Sequence, residues 1–273
     1  MSDTGSHGPN WYPDPMGRHE YRWFDGTQWT DQVSSHGKQS TDPMTAAPVT
    51  VVSDVKQEKI TQGLDRAGVQ VGAVQGGGTL FTEPVLVVAQ KAKLIEITNE
   101  YAIHDQNGVQ IGAVREVGQS KAKKVLRLVS NVDQFMTHKL QVVDAQGTVV
   151  LQLTRPAKVM KSKIIVQDGS GAEIGQITQE NMIGKIRFGL EAGGQKVGSI
   201  NAENWRAWNF NIQDAAGDEV ARITKTWQGF ARAAFTTADN YVVQMHKPIE
   251  GPLLSMVVAA GVSVDTALSQ ASN

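Results

Sequence analysis

Val142-Val143-Asp144-Ala145-Gln146-Gly147-Thr148-Val149-Val150-Leu151-Gln152-Leu153 carries the pattern that decides the fold. An apolar residue precedes Asp-x-x-Gly, and apolar residues return three and six places after the glycine. This is the signature of a β-hairpin. The aspartate bonds its own backbone where the turn starts, the glycine supplies a positive φ, and β-branched residues flank both. The unit recurs at Ile103/Asp105/Gly108/Ile111/Val114, Val166/Asp168/Gly171/Ile174/Ile177 and Ile212/Asp214/Gly217/Val220/Ile223, with a degenerate copy at Leu190/Gly194/Val197/Ile200. Gly147, Gly171, Gly194 and Gly217 are spaced 24, 23 and 23 residues apart. Such regularity predicts hairpins crossing one sheet of constant width, in a meander.

Outward from these hairpins, Val85-Leu86-Val87-Val88, Leu94-Ile95-Glu96-Ile97 and Val125-Leu126-Arg127-Leu128 add strands, so residues 79–270 read as a barrel of short antiparallel strands. The one long apolar helical stretch is 252–268, opened by Pro252, which suits a first helical turn. Its charge-free run, Gly251 to Val264, has 14 residues and is stopped by Asp265. A membrane span needs roughly 20. The run therefore reads as a core helix wrapped by strands, with Ala259, Ala260, Gly261 and Ser263 small enough for close approach; the competing reading is a membrane anchor. A helix in the lumen leaves little room for an intrabarrel ligand.

Composition narrows the function. Net charge is −1 over 273 residues, with three basic and six acidic side chains in residues 1–50, which argues against nucleic acid as a partner. There is no cysteine, so disulfides, thiolate metal sites, thiol nucleophiles and palmitoylation are absent together. Residues 1–30 are polar, with no apolar segment of a secretory signal, which predicts a cytoplasmic location. His7, His19, His36, His104, His138 and His246 are scattered without metal-ligand spacing, and His104 reads as a surface residue beside a turn. Gly76-Gly77-Gly78 lacks a following Lys-Ser/Thr, so a phosphate-cradling loop is not expected. No catalytic constellation and no cofactor site can be nominated.

Residues 10–33 concentrate aromatic rings in Asn10-Trp11-Tyr12-Pro13-Asp14-Pro15 and Tyr21-Arg22-Trp23-Phe24-Asp25-Gly26-Thr27-Gln28-Trp29-Thr30. Asp25-Gly26 is a turn between aromatic-rich short strands, giving a very small sheet. This stretch resembles the short tryptophan-rich, WW-like module of unknown function found at the N-termini of many actinobacterial proteins. Two readings of its rings stand side by side: the module's own core, or a surface at Trp23 or Trp29 that docks a proline-rich protein partner. Residues 34–56 read as a flexible linker, and 57–78 carry no clear signal.

The order Gly78-Thr79-Leu80-Phe81-Thr82-Glu83-Pro84-Val85 through Lys93, then Tyr101-Ala102-Ile103-His104-Asp105, the hairpins and one terminal hydrophobic helix resembles the phospholipid scramblase and LURP-one-related group. The resemblance implies the tubby-like fold, a closed antiparallel β-barrel of twelve strands around a central helix. It also implies association with the cytoplasmic face of the plasma membrane through anionic phospholipid or phosphoinositide-like headgroups, with lipid scrambling in some members. In eukaryotic relatives an acid-rich calcium segment precedes the helix; here Thr237-Ala238-Asp239-Asn240-Tyr241 and Glu250 keep only Asp239, Asn240 and Glu250. Calcium takes six to eight oxygen ligands, so a high-affinity calcium site is not expected. Lys121, Lys123 and Arg127, then Lys158, Lys161 and Lys163, then Lys185 and Arg187 form three basic clusters suited to headgroups. A solvated outer barrel face explains the same clusters. Trp205, Trp208 and Trp227 fit either a lipid interface or hairpin packing.

Overall fold

The computed structural model describes residues 8–15, 19–35, 37–42, 57–69, 75–90, 100–117, 137–157, 161–181, 184–203, 209–226 and 240–268. A small antiparallel sheet comes first, with strands in the order β1 (Asn10–Pro13), β2 (Tyr21–Phe24), β3 (Trp29–Ser35) and β4 (Lys38–Thr41). The stretch expected to be linker from residue 34 therefore begins as sheet. β4 is wholly exposed and polar, so no apolar alternation betrays it in the sequence.

Trp11 and Trp23 face each other across β1 and β2 and meet edge-on at 5.6 Å. Trp29 lies on the opposite face with Phe24 and Tyr12, at 5.3 and 6.1 Å. Trp23 and Trp29 thus belong to different surfaces. All five rings are half-buried, while the sheet's fully enclosed side chains are Arg22 and Val33. The Arg22 guanidinium donates to Asp14 Oδ1 at 2.8 Å, to the carbonyls of Thr30 and Asp42, and to Asp42 Oδ2 at 3.1 Å. A buried cation is tolerated when its donors are matched in this way.

Helix α1 (Gln57–Arg66) precedes twelve strands: β5 (Val85–Gln90), β6 (Glu100–His104), β7 (Gln110–Val117), β8 (His138–Asp144), β9 (Val149–Arg155), β10 (Lys163–Asp168), β11 (Glu173–Gln179), β12 (Arg187–Ala192), β13 (Gln195–Ala202), β14 (Asn209–Asp214), β15 (Glu219–Thr226) and β16 (Asn240–Met245). Each pairs antiparallel with the next, and β16 pairs with β5 to close the barrel. The expected strands at 94–97 and 125–128 lie outside the described residues.

The turn chemistry is as the sequence predicts. At Asp105, Asp144, Asp168 and Asp214 the glycine three places on donates its N–H to the aspartate carbonyl, and Oδ1 accepts the N–H groups two and four residues on. Gly108, Gly147, Gly171 and Gly217 have φ of +82°, +85°, +92° and +91°. Register slips by one residue beside each turn, the mark of a type I turn closed by a glycine bulge. The degenerate copy differs for a physical reason. Gly193 and Gly194 both have positive φ, +57° and +77°, and make a two-residue turn that needs no aspartate.

Inward side chains such as Val142, Leu153, Val166, Ile177, Leu190, Ile212, Ile223 and Val243 form one core. Filling the lumen is helix α2 (Gly251–Leu268), whose Met256, Val257, Val258, Ala259, Ala260 and Val262 join that core. Gly261 lies so close to Val243 that an added Cβ would strike it. No helix among the described residues is long and apolar enough to cross a membrane. β5 is apolar on both faces because both are covered: Leu86 and Val88 point inward, while Val85 and Val87 join Val242 under Ile60, Leu64 and Val69. Helix α1 is thus a cover over the seam where the barrel closes.

Candidate functional site: a cationic barrel rim

An up-and-down barrel sorts its connections by end. The five tight hairpins all lie at one end, and the connections leading from β5, β7, β9, β11, β13 and β15 lie at the other. The tight end is acidic, with Asp105, Asp144, Asp168, Asp214 and Asp218 in its turns. Hydrogen bonding sustains that charge. The Ser170 hydroxyl, ahead of the backbone N–H groups, pulls the Asp168 carboxyl below the ordinary carboxylate range, and a hydrogen bond from Lys247 does so at Asp214.

The opposite rim is basic. Lys161 and Lys163 start β10, Lys185 and Arg187 start β12, and all four are exposed. β11, which ends between them, contributes Glu180. Its carboxylate is turned along the barrel over the side-chain-free Gly189 to meet Lys196. Asn181 closes the β11–β12 connection by accepting from the Arg187 N–H and donating to the Lys185 carbonyl, which sets both cations side by side. Lys161 donates to the Glu180 carbonyl at 2.8 Å. The structure therefore brings the second and third basic clusters together. Lys121, Lys123, Arg127 and Lys158 lie outside the described residues, in the stretches joining β7 to β8 and β9 to β10, as do Trp205, Trp208 and Trp227.

The structure sets the loosely calcium-like residues apart, and one expectation, a surface His104, needs correction. Asn240 opens β16, whereas Glu250 is exposed beyond the other end of that six-residue strand. About 3.3 Å per residue separates them by roughly 20 Å, too far to share an ion. Asp239 lies outside the described residues, among which no group of three metal-ligating side chains occurs. His104 is not a surface residue: it is 4% exposed, opposite Val87, and burial pushes its pKa below the usual histidine value. The Gly76–Gly78 loop wraps a buried carboxyl group, with the Gly78 N–H donating to Glu83 Oε1 at 2.7 Å and an added Cβ at Gly76 striking the same side chain.

The sequence reading also missed an inward polar belt at the basic end. Glu116, His138 and Arg155 occupy inward positions on β7, β8 and β9 and are buried; His138 Nδ1 and Glu116 Oε1 are 2.7 Å apart. Beside them, Ser162 and Gln179 are buried, with Gln179 Oε1 accepting from the Ser162 N–H. Extending the alternation His138/Leu140/Val142 and Leu151/Leu153/Arg155 would have marked two of them from sequence.

A closed twelve-stranded meander with a lumen helix and a cationic rim defines the class. A family model described as Scramblase matches residues 69–269, and the chain belongs to that family. A second model, a protein of unknown function, matches residues 9–46 and includes all of the small sheet. The chain is similar to a phospholipid scramblase family protein of Schizosaccharomyces pombe, 25% identical over 60% of this chain and 47% of the relative. It is also similar to altered inheritance rate of mitochondria protein 25 of Saccharomyces cerevisiae, 24% identical over 61% of this chain and 59% of that protein. The chain thus spans about half the length of the curated relatives it matches. No solved structure matches.

Proposed function

We propose that this protein binds anionic phospholipid headgroups at the cytoplasmic face of the plasma membrane and, in keeping with its family, moves phospholipids between leaflets. The observation that carries the reading is the exposed group Lys161, Lys163, Lys185 and Arg187 at one rim of the family-matched barrel, with the intervening Glu180 neutralised by Lys196. Each such cation contributes about 1 kcal/mol near an anionic surface, so four acting together supply about 4 kcal/mol of salt-sensitive attraction. Translocation is tested in vesicles carrying a fluorescent phospholipid. Reconstituted protein should expose the inner-leaflet half of the dye to an external reductant; dye that stays protected despite incorporated protein would refute the translocation part.

A second reading, an adaptor, rests on the half-buried edge-on pair Trp11 and Trp23. A proline-rich peptide stacked on that face should lose affinity at least tenfold with Trp23→Ala, while Trp29→Ala, altering the opposite face, should matter less. Equal losses would remove the case for a docking face.

A further inference from the structure

We infer that the barrel docks end-on: its basic rim rests on an anionic bilayer surface, its axis stands along the membrane normal, and the Asp-x-x-Gly end points into the water. This rests on the lipid-binding reading above and adds to it the contact face and the orientation.

The first support is the axial separation of charge. The described part of the basic end presents Lys139, Lys161, Lys163, Lys185 and Arg187, all exposed. The other end presents Asp144, Asp168, Glu173, Asp214 and Asp218, with Asp105 buried in its turn, Lys247 held between Asp214 and Asp218 at 3.0 and 3.8 Å, and Lys196 paired with Glu180. A negative surface attracts one end and repels the other, and both effects turn the molecule the same way.

Distance gives that torque its force. A seven-residue strand such as β9 is about 20 Å long, and strand tilt leaves roughly 15 Å along the axis. That is about two Debye lengths at physiological ionic strength. With the rim in contact, the acidic turns lie beyond most of the surface potential, whereas the reverse orientation would press them into it.

Among the described residues, the flank from β13 through β16 to β5 offers no rival cationic face. Outward Asn201, Asn211 and Gln213 form a neutral hydrogen-bonded ladder on β13 and β14. Arg222 on β15 is claimed by Glu203 and by both carboxylate oxygens of Glu219. Helix α1 covers the seam of β5 and β16. Side-on docking would desolvate paired or neutral groups and gain little attraction.

The natural absence of cysteine makes the test direct. Single cysteines are introduced into the full chain as Thr137→Cys at the basic end, Ser199→Cys on the flank and Ala216→Cys in an acidic turn, and each carries an environment-sensitive dye. Vesicles of phosphatidylserine and phosphatidylcholine with nitroxide-bearing headgroups are then added. The Thr137→Cys label should be quenched by lipid and shielded several-fold from iodide, and the other two should stay as accessible as in buffer. Lipid quenching at Ser199→Cys or Ala216→Cys would overturn the orientation while leaving the lipid reading intact. Failure of every variant and the parent to float with the vesicles would overturn both. In parallel, Lys161→Gln with Lys163→Gln should weaken partitioning roughly thirtyfold. Glu173→Gln with Asp218→Asn should change it less than twofold, and a larger change would contradict the assigned face.

Discussion

At the scale of single residues, four aspartates and their glycines do the same work in four turns. Asp105, Asp144, Asp168 and Asp214 each bind two N–H groups through one carboxylate oxygen, and the partner glycines sit where an L side chain is strained. Gly171→Ala should therefore cost about 1 kcal/mol, read as a lower denaturation midpoint with an unchanged slope. His104 behaves differently. Burial holds its pKa below the ordinary value of 6.5, so the folded chain binds fewer protons than the unfolded one. Its neutral form is accommodated in full above about pH 6.5, and stability is lost as pH falls below that value. Denaturation between pH 8 and pH 5 should show this loss, and His104→Asn should flatten that limb; a parallel loss in the variant would assign the dependence to other groups.

At the scale of elements, what was legible follows from what each element displays. Hairpins announce themselves because Asp and Gly meet a backbone demand that few other residues satisfy, and α2 announces itself by its uninterrupted apolar run. Helix α1 does not, because two of its side chains, Ile60 and Leu64, with Val69 just beyond it, suffice to cover a seam and Gly63 interrupts the helix-forming residues. Strand β4 and the buried Arg22 were hidden for a related reason: a polar edge strand has no apolar period, and an enclosed arginine looks like a surface one until its acceptors are placed. The α2 packing invites a specific test. Gly261→Leu forces a side chain into Val243 and should cost about 1–3 kcal/mol, while Val243→Ala in the same chain should recover part of that loss. Additive losses in the double variant would place the helix elsewhere.

At the scale of the whole molecule, the meander converts sequence order into polarity. Alternate connections fall at alternate ends, so aspartates needed for tight turns gather at one end, and cations beside the other connections gather opposite. The basic clusters were visible in the sequence; that Lys161 and Lys163 stand beside Lys185 and Arg187 was not, because it requires the parity of the strands and the turned-away carboxylate of Glu180. Helix α2 enters from the acidic end, so its positive N-terminal dipole faces the aspartates. The central claim is that this rim binds anionic lipid, and salt-dependent flotation tests it most directly. The full chain should float with phosphatidylserine vesicles at low salt, release as salt rises, ignore phosphatidylcholine vesicles, and lose flotation when Lys161, Lys163, Lys185 and Arg187 are changed together to glutamine. Flotation that is indifferent to salt, or that survives the fourfold substitution in a folded protein, would contradict it.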